Sequence, residues 1–191
     1  GSIMQAMTRN PLADPGILGV NAGAAFAVVS ATALMGVSTR AVTLGAALIG
    51  AGVASALVFA LSGRGARASR ARLALAGIAV SAALASLTSA ILTANQFAFN
   101  EFRYWASGSF EGIGVDSLIL ASVVIGGGVV LGALLTSALG ILTLGDEVAV
   151  GLGVRVRLVR GLATLAVTAL AGGATALGGP LTFVGLAVPL L

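Results

Sequence analysis

Charged residues divide this chain into long apolar stretches joined by short polar segments. Five stretches contain no Asp, Glu or Arg: Pro15–Thr39, Ala41–Gly63, Leu73–Asn100, Ser117–Gly145 and Gly161–Leu191. Crossing the hydrocarbon layer as a helix takes about 20 apolar residues, so each stretch is long enough. The pattern predicts helices over 17–36, 41–62, 72–94, 115–140 and 157–177. Membrane β-strands are excluded, because they are shorter and alternate polar with apolar positions. The predicted fold class is all-α: a polytopic transmembrane helical bundle with about five full spans.

The connecting segments set the orientation. Residues 1–16, 63–72 and 141–160 share eight Arg: Arg9, then Arg64, Arg67, Arg70 and Arg72, then Arg155, Arg157 and Arg160. Residues 36–40 and 95–116 hold the other two, Arg40 and Arg103. Basic residues accumulate in cytoplasmic loops, so the first, third and fifth segments, with the N-terminal end, are predicted to face the cytoplasm. The second and fourth face outward. Tyr104 and Trp105 lie in the fourth, where amphipathic aromatics suit a membrane interface.

Composition strengthens the membrane reading. Hydrophobic residues make up 58% of the chain and charged residues 8%, against about 25% charged in soluble domains. The absence of Cys, His and Lys removes thiol chemistry, the usual general base, zinc–thiolate sites and a Walker-type phosphate loop. No catalytic residue, cofactor or metal ligand set is expected, and the energy for any transport must come from a partner or a gradient. The net charge of +4 sits in Arg clusters beside apolar runs, so it reads as topology-setting, and nucleic acid is not an expected partner.

Small residues recur at four-residue spacing: Gly19, Gly23, Ala27 and Ala31; Ala46, Gly50 and Ala54; Gly128 and Gly132. Such faces let helix backbones approach closely in lipid. Tight packing within the chain is the main expectation, with a subunit interface or a pore wall as the alternatives.

Three segments stand out. Asn10-Pro11-Leu12-Ala13-Asp14-Pro15-Gly16 breaks helix at two prolines and a glycine. It is either an ordinary turn in which Asp14 caps the next helix or a broken, rigid element beside a pathway. Leu144–Arg155 has short helical character. Asp146 and Glu147 suit its start, Gly151 or Gly153 its end, and Val148, Ala149 and Leu152 form a small apolar face. It is a surface loop or a docking element. Gln96–Gly112 is rich in aromatics and predicts an amphipathic helix at the interface, whose Glu101 and Arg103 are either solvated or contacts for a soluble partner.

These motifs carry a family resemblance. The run Met4–Gly23, with Thr8-Arg9-Asn10-Pro11-Leu12-Ala13-Asp14-Pro15-Gly16 at its centre, closely resembles the signature of the ferric-siderophore and vitamin B12 permeases of ABC importers (FecCD-type). Phe102-Arg103-Tyr104-Trp105 with Gly108-Ser109 is similar to that family's external segment. Leu144–Ala149 with Leu152-Gly153-Val154 is similar to its ATPase-contacting loop. Gly179-Pro180, Phe183-Val184-Gly185-Leu186 and Pro189 resemble its late short helix, although Leu190 stands where the family usually has His. The resemblance runs the whole chain. A complete member has ten transmembrane helices, so the chain is expected to be a partial permease domain. It would lack the first one to two and the last two to three helices.

The resemblance implies a permease subunit that moves an iron–siderophore complex across the bacterial cytoplasmic membrane, with cobalamin or haem as alternative cargo. It implies four kinds of partner. These are two copies of an ABC ATPase, a second permease subunit, a periplasmic or lipid-anchored substrate-binding protein, and membrane lipid. It implies an ATPase-coupling loop over 141–156 that includes Leu144, Gly145, Asp146, Glu147, Ala149, Leu152 and Gly153. It implies a cytoplasmic gate at Asn10, Leu12, Ser69 and Arg70, and binding-protein docking through Arg40, Glu101 and Arg103, with 95–116 as the external segment. The competing readings are an ion-coupled secondary transporter and a non-transporting fragment. The first normally needs ionisable residues in mid-span, and none of the five stretches has one.

Overall fold

The computed structural model describes residues 1–36, 39–63, 70–108 and 115–180, apart from the side chains at positions 70 and 116. The described residues are helical with short breaks. In order they form α1 (Ser2–Thr8), a 3-10 turn (Pro15–Leu18), α2 (Val20–Met35), α3 (Arg40–Leu61) and α4 (Arg70–Ala94). There follow α5 (Gln96–Ala106), α6 (Val115–Leu134), α7 (Thr136–Leu144), α8 (Asp146–Gly151) and α9 (Val156–Gly178). The expected all-α membrane bundle is present, with two adjustments.

The first concerns the number of full spans. Four helices are long and apolar enough to cross a membrane: Arg40–Leu61, Ala71–Ala94, Ser117–Leu134 and Val156–Gly178. The expected fifth, α2, has 16 residues, about 24 Å at 1.5 Å per residue. The 3-10 turn takes up its first predicted turn. Asp14 causes this, since its side chain accepts from the Gly16 N–H at 2.7 Å and caps the turn, with Pro15 at its first position. The second adjustment is that the predicted helix 115–140 breaks at Leu135. The Thr136 hydroxyl donates back to the Gly132 carbonyl, and the Leu135 N–H is shared between the Leu131 and Gly132 carbonyls at 3.2 Å each. Back-bonding of this kind bends helices.

Packing follows the small residues. A Cβ on Gly23 would run into the Gly50 carbonyl and the Ala54 methyl, and one on Gly50 would meet the Gly23 carbonyl and the Ala27 methyl. The backbones of α2 and α3 therefore touch where both lack a side chain. Gly128 lies against Ala169 and Leu170 of α9, and Gly132 against Ile3 of α1. Helices α3 and α9 are central, and half of the α9 span is buried in the bundle against 11% for α6. The apolar outer faces of α4 and α6 suit lipid or further protein rather than water.

Cross-helix pairs define the two ends. Gly161 lies beside Phe59 and Gly172 beside Ala51, so α3 and α9 run antiparallel. Gly77 of α4 meets the Ile17 carbonyl at the end that holds the Arg-rich segments. Gly108 and Gly179 approach each other at the opposite end, with α5.

Candidate functional site

At the Arg-rich end, α1 stops at Arg9, whose φ of 49° is left-handed. Among the described residues it alone combines a positive φ with a side chain, a conformation uncommon outside glycine. The turn that follows is closed by its own hydrogen bonds. The Gln5 Nε2 donates to the Pro11 carbonyl at 2.8 Å, and the Asn10 Oδ1 accepts from the Leu12 N–H at 3.0 Å. The Ala13 N–H reaches the Asn10 carbonyl at 3.1 Å. Ala13 is buried, while Asn10 and Leu12 are exposed. Asp14 acts as a cap, as one of the two readings of this segment expects, and the turn around it is closed by its own hydrogen bonds.

Of the four residues expected at a gate, Asn10 and Leu12 share this turn. Arg70 opens α4 at the same end. Ser69 and the side chain of Arg70 lie outside the described residues.

The segment from Leu144 to Gly153 is a helix bounded by breaks. Gly145 has φ 133° and separates α7 from α8; Gly153 has φ 80° and turns the chain toward α9. Asp146 and Glu147 occupy the first turn of α8, and the helix ends at Gly151. The predicted apolar face changes in one respect. Ala149 is fully buried inside the chain, whereas Leu144, Val148, Val150 and Leu152 are exposed. Periodicity puts Ala149 beside Val148 on an open face, but α8 packs against α7 and α9 and Ala149 belongs to the buried core.

Asp146 carries more than a helix-start charge. Its Oδ1 accepts from Arg9 at 2.6 Å and its Oδ2 from Arg160 at 2.8 Å. The Arg9 Nε also donates to the Leu142 carbonyl at 2.8 Å, in the last turn of α7. A guanidinium there satisfies a helix-end carbonyl and complements the helix dipole. Arg9 and Asp146 are 137 residues apart, so spacing held no signal for this pair. On sequence, Arg160 reads as a topology-setting charge alone, and Arg9 as such a charge inside the signature motif.

At the opposite end, α5 is strongly amphipathic, as predicted. Asn95 caps it by accepting from the Ala98 N–H at 2.9 Å. The Arg103 guanidinium lies 5.6 Å from the Tyr104 ring centre, a cation–π geometry, and Phe102 and Trp105 pack ring to ring. Arg103 is exposed, Glu101 is partly exposed, and Arg40 is exposed at the start of α3. Because 62–69 joins the end of α3 to the start of α4, Arg40 and α5 share one end of the bundle. Residues 109–114, and the late motif beyond Pro180 with Phe183, Pro189 and Leu190, lie outside the described residues.

Between the ends, Asn21 of α2 accepts from the Thr175 hydroxyl of α9 at 2.8 Å. The pair lines a mainly apolar cavity of about 190 Å³ with Val20, Val167 and Leu170. Among the described residues, no three Asp or Glu side chains gather into a metal-sized cluster.

The described residues thus form an all-helical bundle of membrane-spanning length, with a short helix set off by glycines at its Arg-rich end. The FecCD transport family model matches residues 1–191, and the chain belongs to that family. It is 45% identical over 192 residues to the ferric enterobactin transport system permease protein FepD of Escherichia coli K12, covering 99% of this chain and 57% of FepD. It is 38% identical over 200 residues to the hemin transport system permease protein HmuU of Yersinia pestis, covering 100% of this chain and 58% of HmuU. A solved structure described as an inward-facing conformation of a metal-chelate type ABC transporter aligns with TM-score 0.83 and 25% identity, over 99% of this chain and 61% of that one. The chain thus spans somewhat more than half the length of the relatives it matches.

Proposed function

We propose that this chain is the membrane core of a permease subunit in an ATP-binding-cassette importer that carries a ferric siderophore across the bacterial cytoplasmic membrane. One observation carries the reading: 45% identity over 99% of the chain to a permease named for ferric enterobactin transport. The Arg-rich end, with the N-terminus, faces the cytoplasm by the positive-inside bias. There α8 meets the ATPase, two copies of which serve two permease subunits. The exposed Val148 of α8 and Leu152, the residue that caps it, lie four residues apart, the spacing of anchors on a helix laid in a groove. Asn10 and Leu12 border the cytoplasmic gate with Ser69 and Arg70. The end with Arg40, Glu101 and Arg103 receives a periplasmic or lipid-anchored binding protein.

The work divides between chains. The permease does no chemistry. ATP binding and hydrolysis in the ATPase favour one arrangement of α8 over another, and access to the pathway shifts with that preference. Charges of the described carboxylates stay outside the helical spans: Asp14, Glu101, Asp146 and Glu147 all sit at turns or in α5 and α8. An ion-coupled carrier normally needs such a group in mid-span.

The test is uptake by the full-length permease, reconstituted with its ATPase, its partner permease and its binding protein. Ferric enterobactin, haemin and cobalamin are offered in turn. ATP-dependent accumulation of ferric enterobactin is expected. Accumulation of haemin or cobalamin alone, or uptake that follows an ion gradient without ATP, contradicts the proposal.

A further inference from the structure

We propose that Arg9 is a positioning residue that ties the proline-bracketed turn to α8, so that the two move as one body. This rests on the reading of α8 as the ATPase contact and of the turn as part of the gate. A single guanidinium bonds the Leu142 carbonyl through Nε and the Asp146 Oδ1 through its terminal nitrogen. It thus bridges the last turn of α7 and the first residue of α8, across the φ 133° break at Gly145. Asp146 in turn holds Arg160 in the first turns of α9. One carboxylate therefore joins the end of α1, the start of α8 and the start of α9.

The other half of the linkage is the turn. Arg9 has a left-handed backbone, and the Asn10 N–H also returns to the Gln5 carbonyl at 3.2 Å. From there, bonds from Gln5 to Pro11, Leu12 to Asn10, Ala13 to Asn10 and Gly16 to Asp14 close the segment as far as the 3-10 turn. A shift of Asp146 is passed to a piece of backbone with little internal freedom. By contrast, α8 has six residues and glycines at both borders, so without the ionic tie its direction of motion is poorly defined. The Asp146 side chain is 46% exposed, against 22% for Arg9. A pair this solvated adds little to stability, and its role lies in geometry.

Pulsed electron resonance distances between spin labels at Leu12→Cys and Glu147→Cys test the tie in the intact transporter. This chain has no Cys, and any elsewhere in the full-length permease is replaced. The expected distance peak is the same without nucleotide and with ATP plus vanadate. Arg9→Gly keeps the left-handed backbone and removes the side chain, and the peak should then broaden and move between the two states. Asp146→Asn should do the same, and the double variant should be no worse than either, as for two residues acting through each other. Arg9→Lys, which restores a charge, should narrow the peak again. Transport per ATP should fall about fivefold or more in Arg9→Gly, the low end of typical coupling between sites, while ATPase co-purification stays at the unsubstituted level. A peak that moves in the unsubstituted protein overturns the linkage, and so does one that stays fixed in Arg9→Gly. The underlying reading is tested separately: if Val148→Asp keeps full ATPase association, the docking assignment fails, and the distances alone judge the linkage.

Discussion

Ala149 and Leu152 are three residues apart, yet their environments differ completely. Ala149 is fully buried, and Leu152 is 62% exposed. Ala149→Arg forces a charge into a closed contact and should cost on the order of 3 kcal/mol or more of stability, read as a lower thermal transition in detergent. Leu152→Asp should leave that transition within about 0.5 kcal/mol. It should weaken ATPase co-purification about tenfold, the equivalent of 1.4 kcal/mol. Equal behaviour of the two variants in both assays would show that α8 has no outward docking face. Glycines offer a second contrast. Gly50→Ala drives a methyl into the Gly23 carbonyl, whereas the Cβ position of Gly52 has open space around it. Overpacking of this kind costs about 1–3 kcal/mol, so Gly50→Ala should lower the transition. Gly52→Ala should not. The four-residue spacing of Gly23 with Ala27 and of Gly50 with Ala54 made this contact readable from sequence. The Arg9–Asp146 pair was not, because an ion pair between distant segments leaves no periodic trace.

At the scale of elements, apolar runs bounded by Arg predicted α3, α4 and α9 to within two residues at each end. They failed at two places where a local hydrogen bond outweighs hydropathy. The Asp14 side chain diverts the start of α2 into a 3-10 turn, and the Thr136 hydroxyl helps divide 115–140 into α6 and α7. Hydropathy cannot register either one, since neither changes how apolar the stretch is. Asp14→Ala removes the cap and should cost about 1 kcal/mol, visible as a lower thermal transition. Asp14→Asn keeps an accepting oxygen and should recover most of it. If the two variants melt alike, the cap contributes nothing beyond its charge. Amphipathic α5 was readable because its aromatics and polar residues alternate faces within eleven residues. The burial of Ala149 was not, because a six-residue helix is too short for its pattern to say which side a neighbour covers.

Across the described residues, charged side chains lie at two ends joined by apolar helices, with Asn21 and Thr175 bonded to each other between them. One end gathers the proline-bracketed turn, α8 and the Arg9–Asp146–Arg160 cluster. The other carries α5 and Arg40. The proposed function requires two such surfaces, one on each side of the membrane, with a packed body between them. On the proposed function, α8 and α5 present different partners on opposite sides of the membrane. Site-specific photo-cross-linking in the assembled transporter tests it most directly, with the probe at Glu147 in one sample and at Ser107 in the other; both residues are exposed. The Glu147 probe should capture the ATPase, and the Ser107 probe should not. Capture of the ATPase from Ser107, or its absence from Glu147, would contradict it.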